Sequence, residues 1–416
     1  MRYRPNSWPI FFFVLLVLVA PSRVADSQDA NHYNTEGLER YRSGDYAGAV
    51  ALFERAYSLE PENTTIRSNL ASAHCAAAKE SIDANDLDSA IRELDAALDL
   101  KSDDADLYAF AGSLCLATGD LASAEGMLLS ALDVDPEHKD GHVLLGHVYY
   151  GRGALRDAVA QWQWVLDHYP SAENVEELVE KAKRELEVEK DFVTEYRRRH
   201  FVIHRDRDNF EQESRAILDI LERCYYDIGR DLQHFPRNPV LVLLYSPEQF
   251  SEATLANAHV AGLYDGKIRV PLVPKTDDRD RLTRILRHEY THVLVGAMTA
   301  GNTPFWFNEG FAQYESEELD KTKRAILSDA LKRGTLVPLK ELDDTHLDFD
   351  EDPARLRLAY LEGFAAVSYL NRRFTRRHLF DFMYMLGQGH DTETALRTVY
   401  RRSYDQLHRE VFSEYR

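Results

Sequence analysis

The segment Arg287-His288-Glu289-Tyr290-Thr291-His292-Val293 has residue types and spacing that could do chemistry. On a helix, residues four apart share one face and lie ~6 Å apart along the axis. Two imidazoles so placed can bind one zinc ion through their ring nitrogens. Glu289, between them, lies beside the open coordination position, where a carboxylate can take a proton from the attacking water. Ile285, Leu286, Val293 and Leu294 put the segment on a half-buried helix. The chain has only three cysteines, Cys75, Cys115 and Cys224, too scattered for a disulfide framework or a thiolate metal site. Any metal must therefore be held by imidazole and carboxylate.

A third ligand follows in Pro304-Phe305-Trp306-Phe307-Asn308-Glu309-Gly310-Phe311-Ala312, with 16 residues between His292 and Glu309. That gap lets one helix end, a loop turn at Gly301 and Pro304, and a second helix bring its carboxylate back. The Asn-Glu-Gly-Phe-Ala segment resembles the third-ligand helix of the gluzincin metallopeptidases, notably the aminopeptidase-type and peptidase MA-like families. The resemblance spans residues ~200–416 and implies zinc on His288, His292 and Glu309, with Glu289 as the general base. Ala359-Tyr360-Leu361-Glu362-Gly363-Phe364-Ala365 resembles the helix that carries the transition-state tyrosine in the aminopeptidase-type enzymes. By that likeness Tyr360 is the second catalytic residue, donating a hydrogen bond to the developing oxyanion. The alternative is a buried core tyrosine, in a chain with 22 of them.

The strand around Ile268 to Val270 resembles the edge strand with which these enzymes pair substrate backbone. Its preceding turn, Gly262-Leu263-Tyr264-Asp265, departs from the Gly-x-Met-Glu-Asn signature of true aminopeptidases. Asp265 stands where an amine-binding Glu would be. Gly262, Asp265 and Ile268 are accordingly the candidate substrate-binding residues. Gln313 and Glu315 are candidates to orient the zinc-bound imidazoles. His200, His204, His259, His378 and His390 lack partners at metal-ligand spacing and read as structural or solvated.

The elements that must position this site form an α+β domain over 197–416. Short apolar runs at His200–His204, Val240–Tyr245 and Gly266–Pro271 predict strands, Phe210 to Leu232 has helical spacing, and helices follow from Asp280 onward. Before it, residues 31–170 repeat. Ala49-x3-Phe53-x2-Ala56, Ala90-x3-Leu94-x2-Ala97, Ala124-x3-Leu128-x2-Ala131 and Ala158-x3-Trp162-x2-Val165 align, the last three at intervals of 34 residues. Gly37, Ala78, Gly112 and Gly146 take the small position of each first helix, and Gly44, Gly119 and Gly153 take turns. The first interval is 41 residues, which predicts about seven extra residues in one first helix or loop. The pattern resembles four tetratricopeptide (TPR) repeats, an α-helical solenoid in which stacked neighbours complete each other's core. Such arrays imply a protein partner or substrate on their groove. Residues 171–196 read as one charged capping and linker helix.

Arg2 and Arg4, the apolar run Ile10 to Ala20 and a small-residue exit to Ala25 describe a secretory signal over 1–25. Export, secreted or periplasmic, is the expected destination, and an uncleaved signal would tether the chain to a membrane. The net charge of −20 argues against nucleic acid as a partner. Together these features predict an exported zinc peptidase acting on peptide or protein. The rival is an envelope scaffold built on the repeats, with a structural or inactive zincin-like domain.

Overall fold

The computed structural model describes residues 22–84, 86–101, 103–117, 119–172, 174–207, 210–236, 238–254, 266–272, 278–343 and 352–416. The expected signal as far as Pro21, and the turn from Gly262 to Asp265, lie outside these residues, as does His259. Among the described residues, no helix is long and apolar enough to cross a membrane. Compactness divides the chain into two units, one through Ile82 with Asp88–Ser102, the other Asp83–Leu87 with Asp103–Arg416.

The first unit holds the helix pairs α1 (Ser22–Arg42) with α2 (Tyr46–Leu59) and α3 (Thr64–Asp83) with α4 (Leu87–Leu100). Ala49, Phe53 and Ala56 are buried on α2, and Ala90, Leu94 and Ala97 on α4. Gly44, at φ 82°, turns α1 into α2, a left-handed conformation that side chains resist. Asp45 then caps α2 by accepting from the Gly48 N–H at 3.0 Å. The extra residues of the long interval lie in α3, which has 20 residues against 13 in each later first helix.

The second unit continues the repeat pattern with α5 (Ala105–Ala117), α6 (Leu121–Val134), α7 (Lys139–Gly151) and α8 (Leu155–His168). Gly119 and Gly153, at φ 75° and 77°, make the same turn as Gly44. Helix α9 (Val175–Glu189) then packs on α8 through Val175, Val179 and Ala182. It is shorter than the expected 171–196 helix. From Phe192 the chain becomes strand β1 (Phe192–Arg197), because Phe192, Val193, Thr194 and Tyr196 suit a pleated surface better than a helix.

Strands β1, β2 (Phe201–Asp206), β3 (Val240–Tyr245) and β4 (Lys267–Pro271) form one sheet in that order. β1 runs antiparallel to β2, while β2, β3 and β4 are parallel. Helices α10 (Glu211–Leu232) and α11 (Pro247–Thr254) connect them. Every residue of β3 is buried, so both sheet faces are covered. Val240, Val242 and Leu244 join the main core with α10 and with α12 (Arg279–Thr299). Leu241, Leu243 and Tyr245 meet Phe250 and Ala253 of α11 and Val188 of α9. The end of the repeat array thus covers the back of the sheet. A Cβ on Gly153 would lie only 2.7 Å from Leu241 Cδ2, so that repeat turn sits directly on β3. The expected boundary at 197 is where the sequence pattern changes, but compactness continues across it.

The remainder is helical: α13 (Phe305–Ser316), α14 (Lys321–Arg333), α15 (Pro353–Arg373), α16 (Arg376–Gly387), α17 (Thr392–Val399) and α18 (Tyr404–Ser413). A solenoid followed by an α+β domain is the architecture that the sequence predicted.

Candidate metal centre

Asp278 caps α12 by accepting from the Arg281 N–H at 2.8 Å, which starts the helix that carries His288, Glu289 and His292. Its far end turns through Ala300 and Gly301, at φ 50° and 77°, and Pro304 opens α13. The loop is the one the 16-residue gap requires, and it returns Glu309 against α12.

The three ligand candidates converge. His288 Nε2 lies 3.4 Å and His292 Nε2 3.6 Å from the same oxygen, Glu309 Oε2. A zinc ion ~2.0–2.2 Å from each tetrahedral ligand sets those ligands roughly 3.4 Å apart. All three atoms are buried and have no hydrogen-bond partner. Buried polar atoms are rarely left unsatisfied, so three aimed at one point mark a place built for a cation. His288, His292 and Glu309 fit zinc by donor type and by spacing. The His288 and His292 rings stand nearly perpendicular, 86° apart, so their nitrogens approach the point from different directions.

Burial sets the electrostatics. It lowers the pKa of His288, against the charges of Glu289 and Glu317, and that of His292, chiefly against Glu309. Both imidazoles are therefore kept neutral, the form that binds a metal. Burial pushes Glu309 up to about 7, with His292 opposing. It also raises Glu289 to about 7, with His288 and Arg269 opposing and Glu309 adding.

The group orienting His292 is one the sequence reading missed. Asn308 Oδ1 accepts from His292 Nδ1 at 3.0 Å, which leaves Nε2 facing the metal position. Its signal was its place, one residue before the candidate carboxylate ligand on the same helix turn. Gln313 and Glu315 do not take that role. Glu315 joins Arg287 and Arg376, and Arg287 Nε also donates to its backbone carbonyl at 2.9 Å. Gln313 Oε1 is buried without a partner. His200 is structural, pairing with Glu222 at 2.7 Å and stacking on Tyr225.

Tyr360 lies on α15, which crosses α13 closely, and its ring meets that of Phe305 at 5.4 Å between centroids. A Cβ on Gly310 would strike the backbone carbonyl of Gly363, and one on Gly363 would strike the carbonyl of Trp306. Only two glycines allow this approach, and Tyr360 stands one turn before Gly363. Burial raises the pKa of its phenol, and the charges of Glu309 and Glu289 raise it further. The hydroxyl thus stays protonated and can donate. Ile268 of β4 is fully buried in the main core, so only its backbone is open to a substrate role. Among the described residues β4 is the last strand of the sheet; it pairs with β3 on one side and packs beside α12.

Comparison with known proteins agrees with this division. The Peptidase MA superfamily model matches residues 235–411, and tetratricopeptide repeat models match 34–77 and 75–139. The TPR repeat-containing thioredoxin TTL4 of Arabidopsis thaliana is 42% identical over 60 residues, 14% of this chain and 9% of that protein. The chain therefore spans less than a tenth of that relative's length. Among solved structures, a tetratricopeptide repeat protein from Parabacteroides merdae is 12% identical. It covers 80% of this chain and 99% of its own, at a TM-score of 0.34. The MamA protein is 19% identical over 37% of this chain and 81% of its own, at a TM-score of 0.30. The chain carries a Peptidase MA superfamily domain behind tetratricopeptide repeats.

Proposed function

We propose that this protein is an exported, zinc-dependent peptidase whose repeats engage a substrate or partner protein. The observation that carries the reading is the convergence of His288 Nε2, His292 Nε2 and Glu309 Oε2, all buried and unpartnered, beside Glu289. Bound there, zinc would supply a Lewis acid and a water more acidic than bulk water. Glu289 accepts the proton of the attacking water and returns it to the leaving amine. Tyr360 donates its hydroxyl hydrogen to the oxygen of the scissile carbonyl as negative charge develops there. Asn308 holds His292 in one tautomer and one orientation. The backbone of β4 offers N–H and C=O groups to an extended peptide. The Arg2, Arg4 and Ile10–Ala20 pattern supports export.

The scaffold reading has no use for a base between two ligands, and Glu289 is intact. Glu289→Gln keeps the size and removes the base. Zinc content by elemental analysis is expected to stay at about one per chain. Cleavage of a peptide library is expected to fall ~10²–10⁴-fold. His288→Ala and Glu309→Ala are expected to lose the metal. Equal cleavage by Glu289→Gln and the parent, or full zinc occupancy in either ligand variant, would overturn the proposal.

A further inference from the structure

A cleft of about 610 Å³ opens between the last repeats and α12, within the second unit. Tyr150, His147 and Lys181 line one side, from α7 and α9, and Val293, Gly296 and Ala297 of α12 line the other. Val293 lies one turn after Glu289, and Gly296 one turn after His292, so the cleft begins ~6 Å along the helix axis from the site. Gly266, the residue that leads into β4, also lines it. A chain laid along β4 and past Glu289 would enter this cleft at one end.

The lining is mostly apolar, and its charge is unlike that of the rest of the protein. The chain has 70 Asp and Glu among 416 residues, yet no acid lines the cleft among the described residues. Lys181 does, with its ammonium 5.2 Å from the centre of the Tyr150 ring. Burial, and then the charge of Lys181, lower the pKa of His147, so that imidazole is a neutral hydrogen-bonding wall. Behind Tyr150 stands the carboxylate of Glu185, fully buried, which accepts from the tyrosine hydroxyl at 2.6 Å. It meets Arg269 at 3.0 Å and Lys267 at 3.4 Å, and a second carboxylate, Glu189, interacts with the same two cations. Among the described lining residues the one Lys or Arg is thus Lys181 and none is an acid, and a negatively charged group on an apolar segment is its complement.

We infer that this cleft receives an apolar, carboxylate-bearing segment of the substrate, so that the last repeats form one wall of the substrate site. The word substrate rests on the peptidase reading; occupancy of the cleft by such a peptide does not. The carboxylate can be a chain terminus or an acidic side chain, and the probes separate the two.

Binding is measured by fluorescence anisotropy on full-length, zinc-loaded Glu289→Gln protein, which does not consume its ligand. Three labelled apolar hexapeptide pools serve as probes: one with a free C-terminus, one amidated, and one amidated with an internal Asp. At least one carboxylate pool is expected to bind about tenfold more tightly than the uncharged pool, the loss typical for one charged hydrogen bond. Lys181→Gln, on a half-exposed side chain, is expected to erase that difference. Ala297→Phe fills the cleft and is expected to weaken all pools about tenfold at unchanged zinc content. If Ala297→Phe does not fold, Lys181→Gln decides alone. Equal binding of charged and uncharged pools, no effect of Lys181→Gln, or no binding at ~1 mM peptide would overturn the inference. Cleavage by the parent with binding blind to Lys181 would leave the peptidase reading standing and remove the cleft. Lys181-dependent binding with no cleavage of any peptide would do the reverse.

Discussion

Glycines bring helices together both in the repeat array and at the candidate metal centre, but they make room for different things. In the array, Gly37 faces Phe53, Gly112 faces Leu128 and Gly146 faces Trp162, each glycine opposite the side chain 16 residues later. Phenylalanine, leucine and tryptophan all fill the same place, so the partner can change size. At the centre, Gly310 and Gly363 face backbone. A carbonyl group cannot be traded for a smaller one. The array's contacts can adjust one side chain at a time, whereas the crossing of α13 and α15 has a single solution, and Glu309 and Tyr360 depend on it.

The sharpest way to break that contrast is Gly363→Ala. Overpacking commonly costs ~1–3 kcal/mol, and more where backbone must move. We expect a lower melting temperature together with lost zinc and lost cleavage, because Glu309 shifts with α13. Full zinc occupancy and parental stability in this variant would mean that the crossing is loose after all. Tyr360→Phe comes next, since it removes one hydroxyl and leaves the crossing alone. Turnover is expected to drop ~10²–10³-fold, about 3–4 kcal/mol, with melting temperature and zinc unchanged. A change within about threefold, less than 1 kcal/mol, would make Tyr360 a packing residue only. The smallest effect belongs to the array. Gly112→Ala is expected to cost ~1–3 kcal/mol in chemical denaturation. Combined with Leu128→Val, the total should fall below the sum of the single changes by about 0.5–3 kcal/mol. Strict additivity would show that side-chain size does not relieve the array either.

Much of the site was legible in the sequence because helical geometry is local. His288, Glu289 and His292 sit at fixed offsets on one helix, and Glu309 needs only one turn of chain to return. The repeats were legible because each copies the others, down to seven extra residues that lengthen α3. The rest depends on partners distant in sequence. Asn308 has a role only because His292 lies across from it. Glu185 looked like one more acid on a charged helix, yet it is buried between two cations from β4. Most of strand β1 was read as the end of the linker helix, because its strand-favouring residues are few and pairing with β2 completes the signal. Gly262 and Asp265 lie outside the described residues, so their substrate roles remain expectations from the sequence.

The buried Glu185 also imposes an order on how the molecule is made. Its partner Lys267 follows 82 residues later in the chain. A ribosome adding ~5–20 residues per second reaches that lysine ~4–16 s after finishing Glu185. For those seconds α9 carries a carboxylate that it cannot bury, because leaving it uncompensated in an apolar interior is too costly. Helix α9 can pack on α8 early, but it cannot settle on the sheet until β4 has emerged. The first unit, complete by Ser102, faces no such wait. The nascent chain should therefore mature in two bursts separated by a pause, with the α9 face that carries Glu185 left uncovered until β4 emerges.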